Sequence, residues 1–121
     1  MQIINLPKIT DNRGSLSFLE SQKHIPFKIQ AAFLLTGCDI SDSYFFYEND
    51  NAQFCFIALS GAFRLKTGKI VNTESEYDII VNTASKVLCT NTHTDFRISD
   101  FAQNTVILIL TSMKKVNFKK N

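Results

Sequence analysis

Between Gln53 and Phe63 the chain reads QFCFIALSGAF, an unbroken apolar run of aromatic, β-branched and aliphatic residues that stops at Ser60-Gly61. Successive side chains of a strand point to opposite faces, so Phe54, Phe56 and Ala58 share one face while Gln53, Cys55, Ile57 and Leu59 share the other. Both sets are largely apolar, and such a strand needs cover on two sides, as inside a barrel or a sandwich. Phe54, Phe56, Ile57 and Leu59 are therefore expected to be buried, and Gly61 marks a bend where a side chain would not fit.

The remaining segments read as shorter strands around this one. Ile3 to Leu6 is a brief apolar run ended by Pro7, and Thr10 to Gly14 has the small polar composition of a turn. Ser15 to Glu20 alternates with Leu16 and Phe18 on one face, as a half-buried strand does. A connection follows, with at most a single helical turn at Ser21 to His24. Phe27 to Thr36 places Ile29, Ala31, Phe33 and Leu35 on one side, and Ser43 to Asn49 is aromatic enough for a strand in which Tyr44, Phe46 and Glu48 share a face. Ala62 to Lys66 continues in β towards a hairpin tip at Thr67-Gly68. Tyr77 to Val81, Val87 to Cys89, Phe96 to Phe101 and Thr105 to Thr111 complete the series. About eight to ten short strands at roughly ten-residue spacing, without helical periodicity, predict an all-β sandwich or jelly-roll barrel. With 121 residues and no linker, repeat or low-complexity stretch, residues 1–121 are expected to form one domain.

A formal charge of +2 excludes the strongly basic balance of a nucleic-acid binder, and the only basic cluster, Lys114, Lys115, Lys119 and Lys120, reads as a solvated tail. Cys38, Cys55 and Cys89 are odd in number and widely spaced, so the sequence shows neither a disulfide framework nor a zinc pattern, and Cys55 reads as a small core residue. The N-terminus lacks a basic-then-apolar signal and the run Val106 to Leu110 is too short to span a bilayer, which sets cytoplasmic residence, with no membrane partner, as the expectation.

Four segments, LPKITDNRGSLSFLE from Leu6, HIPF from His24, QFCFIALSGAF from Gln53 and TVILILTS from Thr105, resemble the WxcM-like sugar-nucleotide 3,4-ketoisomerases of the cupin superfamily. The resemblance covers nearly the whole chain in order and spacing. It implies a cupin-type jelly-roll barrel, a homodimer exchanging N-terminal strands, a nucleotide-linked sugar as ligand (a dTDP-4-keto-6-deoxyhexose of deoxysugar biosynthesis), and no metal or other cofactor. In that family a pair of histidines two residues apart moves a proton between C3 and C4 of the ketosugar, which needs groups titrating near neutral pH within hydrogen-bond reach. Counted back from Gln53, the pair falls on Phe46 and Glu48. The arginine-glycine that precedes it is replaced around Ser43 and Tyr44, and the later Pro-Pro-Gly turn corresponds to Asn91-Thr92-His93.

The candidate catalytic residues are thus Glu48, as a base if burial raises its pKa, and Tyr44, as an acid on the same face. Arg13, in the retained RGSLSF segment, and Tyr47 are candidate substrate contacts, since a guanidinium fork suits diphosphate oxygens. His24 is expected to hydrogen-bond a loop, His93 to stand alone at the surface, and Arg64 and Arg97 to face water. With no paired imidazoles near a carboxylate, no metal site is expected. Two functions compete: a ketoisomerase whose acid-base pair has changed, and a catalytically degenerate cupin that binds a sugar nucleotide or a partner protein without turnover. A β-sandwich carbohydrate-binding module would instead show an exposed aromatic platform and no enclosed pocket.

Overall fold

The computed structural model describes residues 2–47, 51–67, 77–90, 92 and 95–121. The regular structure among them is entirely β: β1 (Gln2–Asn5), β2 (Lys8–Asp11), β3 (Gly14–Ser17), β4 (Ala31–Leu35), β5 (Ser43–Phe46), β6 (Phe54–Ser60), β7 (Phe63–Thr67), β8 (Asp78–Val81), β9 (Lys86–Cys89), β10 (Phe96–Ser99), β11 (Val106–Thr111) and β12 (Phe118–Lys120). Two five-stranded antiparallel sheets run in the orders β1-β9-β6-β11-β4 and β12-β5-β10-β7-β8, and β2 with β3 forms a separate two-stranded hairpin.

The strand β6 lies at the centre of the first sheet, and both of its faces are covered. Phe54, Phe56 and Ala58 join Phe46, Phe63, Leu65, Phe96, Ile98, Ile107 and Ile109 in the cluster between the sheets. On the opposite face, Cys55 and Ile57 pack with Leu6, Ile25, Phe27, Val87, Cys89 and Leu110. Burial of one such apolar side chain is worth about 1.5–3 kcal/mol, so a strand buried on both faces anchors the fold. Leu59 departs from expectation: it is 47% exposed, because the cover formed by Ile25 and Phe27 reaches Ile57 but not the residue beyond it.

That cover also corrects two strand assignments. The long strand expected from Phe27 to Thr36 is confined to Ala31–Leu35, since Ile25 and Phe27 are committed to the outer cluster. Ser21 to Ile25 is a turn tied by an isolated bridge, not a helical one. The strand expected after Ser15 is the second arm of the β2–β3 hairpin, which pairs with no other strand among the described residues, and β2 is exposed along its length. The hairpin tip expected at Thr67-Gly68 runs into residues 68–76, which lie outside the described residues; at its base the Thr67 N–H donates to the Tyr77 carbonyl at 2.9 Å.

Two residues expected to be unpaired thiols meet in the first sheet. Cys55 and Cys89 stand opposite each other in the β6–β9 ladder, with Cα atoms 4.1 Å apart, and are joined as a disulfide. Sequence spacing could not show this, because the pairing follows from strand neighbourhood and register. Cys38 remains free.

Gly61 confirms the bend after β6. Its φ is +73°, and a Cβ there would collide with Thr105 Oγ1 and lie 2.7 Å from Thr105 Cα. Thr105 is itself fixed, accepting from the Ala62 N–H at 3.2 Å and lying 2.6 Å from the Ala102 carbonyl. Gly61→Ala is therefore expected to cost about 1–3 kcal/mol in urea denaturation. Gly37→Ala is the control, since Gly37 has a similar φ of +70° but nothing within 4 Å of its added Cβ. Equal losses in the two variants would show that the Thr105 contact yields freely.

Candidate functional site

Strand alternation along β5 sets the candidate site. Phe46 points between the sheets, where its ring stacks on Phe96 at 4.6 Å with planes 21° apart and lies 5.8 Å from Phe54 and 6.3 Å from Phe56. Tyr44 faces the same side, edge-on to Phe101 at 6.1 Å. Phe45 and Tyr47 take the other face, stacked on one another at 5.8 Å, with the Arg97 guanidinium 5.5 Å from the Phe45 ring centre. Phe46 thus occupies an interior position as one ring of an aromatic stack, a place from which no proton can be moved.

Tyr44 and Cys38 both pack against the inner cluster and share a hydrogen bond. Burial, and then the neighbouring Cys38, push the Tyr44 hydroxyl above the usual tyrosine range. Burial, and then the Asp42 carboxylate, push the Cys38 thiol up as well. Both groups are protonated at neutral pH and can donate a proton but not abstract one. Lys120 closes the cluster, with Nζ 3.8 Å from Asp42 Oδ1 and 5.9 Å from the Tyr44 ring centre. The Cys38 partner was not legible in the sequence, because the loop from Gly37 to Asp42 folds back onto β5.

Two hollows border this cluster. A cleft of about 760 Å³ is lined by Cys38, Asp39, Phe101, Gln103, Asn104 and Thr105, which is within the usual range for small-molecule sites. A smaller hollow of about 150 Å³ lies at the seam between β4 and β12 and is lined by Phe33, Tyr44, Phe46, Ile109, Val116 and Phe118. Tyr44 and Phe46 line it together.

The other candidates are dispersed. Arg13 sits at the tip of the β2–β3 hairpin, its side chain 87% exposed and paired with Asp11 at 2.9 Å. Tyr47 lies on the opposite face of the β5 segment from Tyr44, so Tyr44, Tyr47 and Arg13 do not converge within one protomer. Glu48 and His93 lie outside the described residues. His24 serves its loop, its Nδ1 accepting from the Glu20 N–H at 2.9 Å. Arg64 is tied to Asp78 and Asp100 on the exposed side of the second sheet, donating from Nε to Asp78 Oδ1 at 2.6 Å. Those hydrogen bonds hold the Asp78 carboxyl below its ordinary value and raise Arg64 further. Among the described residues no three His, Cys, Asp or Glu side chains gather as metal ligands.

Comparison with known proteins converges on one group. The family model described as FdtA, WxcM-like, C-terminal matches residues 1–118. The TDP-4-oxo-6-deoxy-α-D-glucose-3,4-oxoisomerase of Aneurinibacillus thermoaerophilus is 26% identical over 113 residues, covering 92% of this chain and 78% of that protein. The QdtA 3,4-ketoisomerase of Thermoanaerobacterium thermosaccharolyticum, solved in complex with TDP, superimposes with a TM-score of 0.83 at 25% identity, over 94% of this chain and 81% of the other. The rmlC epimerase of Mycobacterium tuberculosis shares the fold alone, with a TM-score of 0.73 at 10% identity over 93% of this chain and 63% of its own. The fold is the cupin-type jelly roll of these sugar isomerases and epimerases.

Proposed function

Because the chain belongs to the FdtA, WxcM-like family of sugar-nucleotide 3,4-ketoisomerases, we propose that it binds a dTDP-linked 4-keto-6-deoxyhexose and carries an altered acid-base site for its isomerisation. Moving the carbonyl from C4 to C3 requires a base that removes the C3 proton and an acid that protonates the resulting enediolate. In this reading Glu48 is the base and Tyr44 the acid, and Arg13 and Tyr47 contact the nucleotide diphosphate. What supports it is Phe46, a ring packed against Phe96 at the position where the resemblance places an imidazole. The same stack favours a second reading, in which the sugar nucleotide is bound without turnover.

The reading includes a homodimer in the cytoplasm. Its support is the β2–β3 hairpin, which leaves Ile9 60% exposed and presents Arg13 away from its own barrel. A second copy would cover that hairpin and bring Arg13 to the partner's mouth. No helix among the described residues is long and apolar enough to cross a membrane.

Calorimetric titration with TDP tests the binding half. Saturable binding is expected, weakened about tenfold or more in Arg13→Ala through loss of one charge-assisted hydrogen bond. Sedimentation at the same concentrations reports the dimer. A chain that binds neither TDP nor the ketosugar nucleotide contradicts both readings, and unchanged affinity in Arg13→Ala removes Arg13 from the site.

A further inference from the structure

The Cys55–Cys89 bridge crosses the narrowest junction of the first sheet. β6 holds β11 through six register pairs, from Val106 with Ser60 to Thr111 with Phe54. It holds β9 through only two, Cys55 with Cys89 and Phe56 with Leu88. β1 in turn pairs only with β9, so this short ladder and the bridge together tie the β1–β9 edge to the barrel. The Cα separation of 4.1 Å is that of a non-hydrogen-bonded antiparallel pair, where facing side chains approach most closely. Immediately beyond it the Thr90 N–H donates to the Phe54 carbonyl at 2.8 Å.

Both cysteines are buried, Cys55 at 0% and Cys89 at 2% exposure, beneath Leu6, Ile25 and Phe27. The cover is an irregular segment whose backbone hydrogen bonds are mostly local: the Lys23, His24 and Ile25 N–H groups all donate to the Glu20 carbonyl, at 3.3, 3.0 and 3.3 Å. The Gln22 N–H donates to the Phe27 carbonyl at 3.3 Å, the Ile29 N–H to Ser21 Oγ at 3.0 Å and the Gln30 N–H to the Thr111 carbonyl at 2.9 Å. A segment held in this way opens locally at much lower cost than the sheets unfold. Cys38 lies on the inner side of the first sheet, against the interior cluster, and is not placed to exchange with the bridge.

We infer that Cys55 and Cys89 form a redox site, a dithiol–disulfide couple gated by the cover from Leu19 to Ile29, whose state sets the rigidity of the β6–β9 junction. Reduction proceeds when the thiolate of a small dithiol attacks one sulfur and breaks the bond. The mixed disulfide is then resolved by the reductant's second thiol, leaving two protein thiols and one oxidised reductant. Formation is the reverse two-electron step, with a small azo or disulfide oxidant accepting the electrons and the two thiol protons. On the cytoplasmic residence of the proposed reading, where thiols are held reduced, the bridge is a switched state and not a permanent staple.

The test uses the full chain, treated with diamide or with dithiothreitol, unfolded in denaturant with iodoacetamide and mapped by mass spectrometry. One alkylated thiol, Cys38, is expected after diamide and three after dithiothreitol. Hydrogen exchange on the two native forms is expected to run about tenfold faster at Leu88 and Thr90 in the reduced protein, with Leu65 and Ile98 unchanged. Reduction of the native bridge is expected to be about tenfold faster in Phe27→Ala, whereas the rates in urea are equal. Should Phe27→Ala not fold, Ile25→Val loosens the same cover. Three alkylated thiols after diamide, equal exchange in the two forms, or an unchanged reduction rate in the loosened variant each overturns the inference.

Discussion

Replacing Phe96 by Ala is expected to lower the unfolding free energy by about 3–5 kcal/mol, the range for truncating a buried aromatic side chain. Phe96 is fully buried on β10, in the middle of the second sheet, and its ring centre lies 4.6 Å from Phe46 and 4.9 Å from both Phe54 and Phe56. Those three rings come from β5 and β6, one strand in each sheet, so the cavity would open where the sheets meet. Such aromatic pairs contribute about 0.5–1.5 kcal/mol each beyond the area they bury, which adds to the loss. A natural domain is stable by only about 5–15 kcal/mol, so the variant should sit near the limit of folding. Phe118→Ala is the control: that ring also touches Phe46, at 5.9 Å, but is 54% exposed. It is expected to cost about 1 kcal/mol or less. Equal denaturation midpoints for the two variants would mean that the aromatic stack does not hold the sheets together.

Much of this fold is legible in the sequence because hydrophobic period and burial agree. The run from Phe54 to Ile57 is apolar at every position and is covered on both faces. The alternation of Tyr44 with Phe46 against Phe45 with Tyr47 is likewise the observed one. The misreadings arise where cover depends on parts distant in sequence. Nothing near Leu59 indicates that the segment carrying Ile25 and Phe27 stops short of it. The segment from Ser15 has the pattern of a half-buried strand, and among the described residues it pairs with β2 alone. Cys55 and Cys89 are 34 positions apart and meet only through register.

The site divides the same way. The family resemblance implies that a histidine position of its relatives falls on Phe46, and the Phe46 ring lies in the interior. The Cys38–Tyr44 hydrogen bond was not readable, because it depends on a loop closing back on a strand. The raised values of both groups have a chemical consequence: neither can act as a base at neutral pH.

The second large effect is on rate. General acid-base assistance is worth about 10²–10⁴-fold, so a barrel that keeps the sugar nucleotide but has Phe46 in its interior is expected to turn over slower than its histidine-bearing relatives by at least that order. Tyr44→Phe removes the donor and Glu48→Gln the base, and each is expected to abolish the remaining turnover while leaving TDP affinity within about threefold, since neither change removes a charge-assisted contact to the diphosphate. Loss of affinity in parallel with rate would point to a binding role for these residues.

The most direct measurement is incubation with dTDP-4-keto-6-deoxyglucose in deuterated water, following deuterium at C3 and the 3-keto isomer, for the native chain and Glu48→Gln beside calorimetric binding. The predicted result is saturable binding with slow exchange that disappears in Glu48→Gln, or, in the second reading, binding with no exchange at all. Turnover as fast as that of the histidine-bearing enzymes and indifferent to Glu48 would contradict the account, because proton transfer would then reside in groups other than those assigned here.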